Sequence, residues 1–414
     1  MAKFISLAPD TWQRTTLSQA CSAGLGSIQT GPFGSQLHAS DYVSEGVPCV
    51  MPQDLGDNVI VDENVARIRA SDAERLAKYR LQPGDIVYSR RGDVTRRALV
   101  RPLEDGWLCG TGCLRVRPGK MVDSRFLSYF LGHPEIRAWI RRHAVGATMP
   151  NLNTKILGSV PLVLPSAREQ GAIGNVLGAL DDKIAVNERI ATTAESLLQS
   201  KFTALGVVGD SGGGQEIPVS DIISFNPKTA KPISDEPVYV EMAALQPNSA
   251  GIPEWTHREP KSGARFQNGD TLLARITPCL ENGKTGFVDF LDKGEVGLGS
   301  TEFIVMRSRP GVPRTLSYFL ARDPLFRAHA IRSMVGTSGR QRVSAADAAE
   351  FTVREVDAER LAAFGREADQ IFRHLNSLAG ESRTLASLRD TLLPQLMSGK
   401  IRVRDAEKTI EEAL

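Results

Sequence analysis

Two long stretches of the chain place apolar residues in steps of three and four. Leu177, Leu180, Ile184, Asn187, Ala191, Ala194, Leu198 and Lys201 follow that rhythm in the first. Phe364, Ala368, Ile371, Leu375, Leu378, Ser382, Leu385, Arg389 and Leu392 follow it in the second. A seam held for roughly four heptads predicts two helices that pair as a coiled coil. The interface residues expected are Leu180, Ile184, Asn187 and Leu198 against Ile371, Leu375, Leu378, Leu385 and Leu392. Two amphipathic helices, each packed on its own domain, are the alternative. The polar positions Asn187 and Ser382 cost stability and suit a role in fixing register. Gly206 and "GDSGGG" (209–214) stop the first helix and open a flexible linker. Pro394 is expected to disturb the last turns of the second, and Gly399 to cap it.

Ahead of each helix the pattern shortens to strand-like runs bounded by turns, and the runs repeat. "QPGDIVYSRRGD" (82–93) resembles "QNGDTLLARITP" (267–278), and "GTGCLRVRPG" (110–119) parallels "GSTEFIVMRSRPG" (299–311). "SYFLGHPEIRAWI" (128–140) returns as "SYFLARDPLFRAHA" (317–330), and "VGATMPNLN" (145–153) is matched by "VGTSGRQRVS" (335–344). Gly84 and Gly269 lie 185 residues apart, Tyr129 and Tyr318 189, and Gly146 and Gly336 190. The period is too long for a solenoid repeat and implies two similar modules. Tyr129, Phe130 and Leu131 are expected in the core, fixing a short helix. The predicted fold is α+β: two mixed α/β modules, each followed by a long helix, with the helices antiparallel and the halves related by a pseudo-two-fold axis. The boundaries read as 1–165 for the first module, 166–205 for the central helix and 206–218 for the linker. The second module is 219–355, the C-terminal helix 356–399 and a tail 400–414. Such helices span roughly 40 Å at 1.5 Å per residue. That is close to one turn of B-DNA, a spacing suited to a two-part reader of the duplex.

Charge adds little in total and more in its placement. The net charge is +2, so any anionic partner must be met by local clusters. Arg90 and Arg91 follow a strand, and Arg141 and Arg142 end a short helix. Arg327, Arg332, Arg340 and Arg342 occupy the matching region of the second module. Recurrence in both copies strengthens a phosphate- or base-contacting reading beyond what any one arginine supports. The N-terminus lacks a signal-peptide layout, and no apolar run approaches a membrane span, so the cytoplasm is the expected compartment.

Candidate active-site chemistry is sparse. The five cysteines are scattered; Cys109 and Cys113 form a CxxxC pair without a second pair to complete a zinc site, so buried thiols are expected. "PCLENGKTG" (278–286) has Pro278 where a phosphate loop needs glycine, which leaves Lys284 either on a DNA phosphate or as a solvated hairpin lysine. No G-x-S-x-G elbow between a strand and a helix is present, "GDSGG" (209–213) falling in the Gly-rich linker after a helix; there is no H-E-x-x-H motif, and the Asp/Asn-Pro-Pro-Tyr/Phe run of amino-methyltransferases is missing. His133 and His329 are expected at the surface or half buried. Catalysis by this chain is not expected.

Several longer motifs resemble one family. "GPFGSQL" (31–37), "YVSEGVPCVMPQDL" (42–55), "GDIVYSRRGD" and "NLNTKILGSVPLVLPSAREQGAI" (151–173) look like a target-recognition domain of type I restriction–modification specificity subunits. "LDDKIAVNERI" (180–190), "GDTLLARITPCLENGKTG" and "LRDTLLPQLMSGKI" (388–401) extend the resemblance across almost the whole chain. It implies a non-catalytic subunit that reads a bipartite double-stranded DNA target, one half-site per module, with the helices setting the gap. It further implies partners: two methyltransferase subunits that use S-adenosylmethionine, and restriction subunits that use ATP and Mg. No cofactor is expected in this chain. The candidate DNA contacts are Ser35, Gln36, Gln53, Arg90, Arg91, Arg141 and Arg142 in the first module, and Lys228, Arg275, Lys284, Arg340 and Arg342 in the second. The modules begin differently, which implies an asymmetric target. A coiled-coil scaffold of a defence complex, without its own sequence readout, is the alternative.

Overall fold

The computed structural model describes residues 3–413 except 63, 147, 210–213, 248, 260, 261 and 338. The middle of the expected Gly-rich linker, 210–213, therefore lies outside the described residues. Two compact units result, one of Met1–Asp182 with Thr384–Leu414 and one of Lys183–Arg383. Their division falls inside both long helices, not at the module ends read from the sequence.

In the first unit a five-stranded sheet runs in the order Ser27–Thr30, Cys113–Arg117, Ile86–Ser89, Arg97–Leu99, Asp57–Asn58. A four-stranded sheet follows the order Tyr42–Val43, Ala66–Ile68, Val47–Val50, Leu108–Cys109, its last two strands parallel. Gln13–Thr16 pairs antiparallel with Pro161–Leu164, joining the start of the module to its end.

The second unit repeats the scheme. Its main sheet runs Ile223–Phe225, Phe303–Ser308, Asp270–Ala274, Thr285–Phe287. Its second sheet runs Thr256–His257, Val238–Val240, Gly297–Gly299, Ala264–Phe266, and Glu216–Pro218 pairs with Thr352–Arg354. The parallel pairing of Cys49 with Leu108 matches that of Tyr239 with Leu298. Even the isolated bridge of Arg80 with Leu108 has its counterpart in Arg265 with Leu298.

The repeated Gly-Asp has a physical cause in both modules. Gly84 and Gly269 turn the chain at φ +90° and +91°, a conformation that favours glycine. The carboxylates of Asp85 and Asp270 then accept the amides of Gln82 and Gln267, at 2.9 and 2.8 Å, which closes the turn. Each buried carboxylate also takes a two-pronged arginine from the neighbouring strand: Arg117 on Asp85 and Arg307 on Asp270, at 2.6–2.7 Å. A buried carboxylate needs such compensation.

The "SYFL" passages each form two helices, not one. Ser124–Gly132 is followed by Pro134–His143, and Leu316–Arg322 by Pro324–Arg332. Proline is favoured as the first residue of a helix, and His133 and Asp323 cap those second helices. His133, expected at the surface or half buried, lies deeper. It is buried, stacked on Phe4 at 3.8 Å, and burial lowers its pKa to about 4. Tyr129 donates to Asp181 at 2.5 Å, and Arg389 pairs with the other oxygen of Asp181 at 2.7 Å. Tyr318 donates to Glu195 at 2.7 Å, and Arg322 binds both of them. Each repeated tyrosine thus fastens its module to a carboxylate of the central helix.

The central helix is Ala167–Leu205 and the C-terminal long helix Ala358–Met397. Leu177, Leu180, Leu198, Leu385 and Leu392 are buried, while Ile184, Ile371, Leu375 and Leu378 are half buried. Within the second unit, Asn187 donates to Glu381 at 2.7 Å and to Ser382 at 3.2 Å. Lys201 pairs with Glu367 in the same unit. Pro394 lies inside the helix, in its last turns. Its missing donor frees one carbonyl, that of the exposed Asp390, and the helix continues to Met397. Gly399 then takes φ +69°. The expected tail is a helix as well, Val403–Ala413, with Asp405 accepting the amide of Arg402. Among the described residues, no helix is long and apolar enough to cross a membrane.

Candidate nucleic-acid interface

Each main sheet ends in the same small construction. In the first module the chain leaves strand Ile86–Ser89 at Arg90, whose amide donates to Gly112 O and whose carbonyl accepts from Leu152, both at 2.8 Å. In the second it leaves Asp270–Ala274 at Arg275, whose amide donates to Glu302 O and whose carbonyl accepts from Val343, both at 3.0 Å. A loop is closed beside each exit by a reciprocal pair of backbone hydrogen bonds, Val145 with Asn151 and Val335 with Arg342. Arg91 bridges to Asn151, and Ile276 to Arg342. The hydrogen-bonded positions that frame the two loops are therefore matched, and the side chains they carry differ. Residues 147 and 338, within the two loops, lie outside the described residues.

At this mouth the first module carries Gly112, Asn151 and Arg91; the second carries Glu302, Arg342 and Ile276. Arg342 grips Glu302 through Nε and Nη2 at 2.8–2.9 Å, and this hydrogen bonding holds the Glu302 carboxyl below its usual range. Arg90 lies over the ring of Phe33, 5.7 Å from its centre. The buried Nε atoms of Arg90 and Arg275 have no hydrogen-bond partner, nor have those of Arg137 and Arg327, again at matched positions. Partial burial disfavours the charged form of Asp93. Hydrogen bonds from Thr95 and the charges of Arg141 and Arg137 outweigh it and hold the carboxyl below its ordinary value. Thr95 thus closes a turn onto Asp93, at 2.6 Å.

The other candidates separate into exposed and committed groups. Ser35, Gln53, Arg91, Arg141, Arg142, Lys228 and Arg340 are exposed. Gln36 is committed: its side-chain oxygen accepts from Phe33 N at 3.2 Å and from Tyr79 OH at 2.8 Å. Lys284 is not a solvated hairpin lysine; half buried, it donates to Met242 O at 3.1 Å. Beside it Gly283, at φ +74°, leaves room for the Arg327 guanidinium, which donates to Glu281 O at 2.9 Å. Cys109 and Cys113 are buried thiols in the sheets, and burial pushes Cys109 up to about 12. Glu302 and Asn151 escaped the residue-by-residue reading. Aligning the repeat at the bridged valines would have exposed both.

The geometry defines a pair of related loop-bearing α/β modules, and comparisons with known proteins agree. Residues 40–196 match the type I restriction modification DNA specificity domain. The EcoEI type I specificity subunit of Escherichia coli is 33% identical over 140 residues, 32% of this chain and 23% of that one. The HindI specificity subunit of Haemophilus influenzae is 27% identical over 187 residues, 44% of this chain and 38% of that one. The chain therefore spans less than half the length of the curated relatives it matches. The crystal structure of a type I restriction-modification S subunit from M. genitalium superposes with a TM-score of 0.55 at 15% identity, covering 93% of this chain and 96% of that one. This chain shares the fold of that S subunit, and its residues 40–196 match the type I specificity domain.

Proposed function

We propose that the chain is the DNA sequence-specificity subunit of a type I restriction–modification complex. Each module reads one half of a bipartite, asymmetric target in double-stranded DNA. The observation that carries this reading is the duplicated mouth: one backbone frame, present twice, with different polar side chains on each copy. Exposed cations around each mouth supply phosphate attachment, and the differing side chains supply base choice.

The central and C-terminal helices pair antiparallel as a coiled coil, relate the modules by a pseudo-two-fold axis, set the gap between half-sites and bind two methyltransferase subunits. The partners of Asn187 and Lys201 in one unit, and of Asp181 in the other, support that direction of pairing. The chain itself is non-catalytic; S-adenosylmethionine, ATP and Mg act in partner methyltransferase and restriction subunits, in the cytoplasm. Selection from a random pool of duplex DNA, with a methyltransferase subunit present, tests the reading. Enrichment of a two-part motif is expected. No enrichment would leave a scaffold without readout.

A further inference from the structure

We propose that Arg342, held by Glu302, reads a guanine in the half-site of the second module, and that Asn151 reads an adenine at the matched place in the other half-site. This rests on the DNA-reading function proposed above.

The argument starts from the shared frame. Asn151 and Arg342 occupy the same bridged position, each exchanging both backbone hydrogen bonds with a valine at 2.8–3.0 Å. Their side chains therefore leave the same ladder in the same register. Gly112 and Glu302 are likewise matched, each accepting the amide of the first arginine beyond the strand. Where the second module has a carboxylate and a guanidinium, the first has no side chain and a carboxamide.

Glu302 does not bury Arg342. The Arg342 side chain keeps 40% of its exposure and that of Glu302 27%. Glu302 occupies the Nε edge, and Arg340 O accepts from Nη1 at 3.2 Å. One N–H on each terminal nitrogen remains, the number that a fork onto guanine O6 and N7 needs. A long side chain ordinarily loses rotamer freedom on reaching a base; Glu302 fixes the plane of the guanidinium beforehand. The ion pair is thus a positioning device at the surface, where its worth to stability is small.

Asn151 has the complementary chemistry. A carboxamide sets an N–H donor beside a C=O acceptor, the pattern that pairs with adenine N7 and N6. With Gly112 opposite, no carboxylate competes for its amide. The cation of this mouth sits instead on the other side of the bridge, at Arg91, where the second module has Ile276.

The test is selection of duplex DNA from a random pool by the full-length chain with a methyltransferase subunit present, for the wild type and for Arg342→Gln, Arg342→Lys, Glu302→Gln and Asn151→Ala. The wild type is expected to enrich a two-part motif. Arg342→Gln and Arg342→Lys are expected to lower preference for one guanine in one half by about tenfold or more and leave the other half unchanged. Glu302→Gln weakens the same guanine less, and Asn151→Ala relaxes an adenine in the opposite half. Lysine keeps the charge, so a phosphate contact would survive Arg342→Lys. Unfolding midpoints report whether each variant is folded, and the Asn151 and Glu302 variants carry the test if an Arg342 variant is not. A motif unaltered by the Arg342 variants, or weakening spread equally over all sequences, overturns this proposal alone. A wild-type chain that enriches no two-part motif overturns the underlying function and this proposal with it.

Discussion

The two mouths are built on one frame and filled with opposite chemistry. In the first, an exposed arginine stands on the strand exit and a carboxamide on the loop; in the second, an isoleucine stands on the exit and a carboxylate-gripped arginine on the loop. A similar inversion lies behind the sheet, where Arg101 follows Val100 and Asp289 follows Val288 in matched positions. What stays constant is the support: Gly-Asp turn, strand-to-strand Asp–Arg pair and tyrosine fastening. Support residues face inward and answer to burial. Mouth residues face water and are free to diverge.

The largest expected effect is on the support, equally in both modules. Asp85→Ala or Asp270→Ala leaves a half-buried arginine without its partner and opens a turn. Each is expected to destabilise its own unit by about 3–5 kcal/mol, read from urea unfolding. A much smaller loss in one module would show that the matched pairs are not equivalent.

A second effect belongs to the second module alone. Burial pushes Asp289 up to about 6, against the opposing charges of Arg314 and Arg383. A carboxyl raised above its unfolded value favours the folded state at low pH, and that contribution disappears as pH rises through about 6. Asp289→Asn is therefore expected to raise stability at pH 7 by up to about 3 kcal/mol, with little change near pH 4. Thermal melts across that range check it; an equal gain at both pH values would break the assignment.

Removing the tyrosine hydroxyls sharpens the comparison further. Tyr318→Phe takes a partner from Glu195 and from Arg322, and Tyr129→Phe takes one from the less deeply buried Asp181; each carboxylate keeps its arginine. Losses of about 1–3 kcal/mol are expected, larger for Tyr318, from denaturant midpoints. Smallest in stability is Arg141→Gln with Arg142→Gln, both exposed. These are expected to weaken DNA binding and reduce its salt dependence by about one unit per lost phosphate contact, with stability within about 0.5 kcal/mol of wild type.

Much of this organisation was legible along the chain because its signals are local or periodic. The Gly-Asp turns, the seam of the long helices and the near-constant spacing of the repeat depend on residues close together or evenly placed. What was not legible depends on partners far apart. Glu302 and Arg342 are 40 residues distant, Lys284 is captured by a carbonyl 42 residues before it, and the Gln36 side chain serves Tyr79, 43 residues on. The full burial of His133 was not legible because its stacking partner, Phe4, lies near the N-terminus. Pro134 and Pro324 did carry a local signal for splitting the "SYFL" helices, one outweighed by the unbroken apolar run before them.

The ladder that closes each loop has a consequence for how such a protein changes. Five residues lie between Val145 and Asn151, and six between Val335 and Arg342, yet the bonds on either side are the same. The two copies have already absorbed a one-residue difference in length without disturbing their foundations. Additions or deletions inside that collar alter reach and chemistry while leaving the sheet's register untouched. New preferences can then arise by insertion as well as by substitution, at a place where the rest of the chain does not have to answer for them.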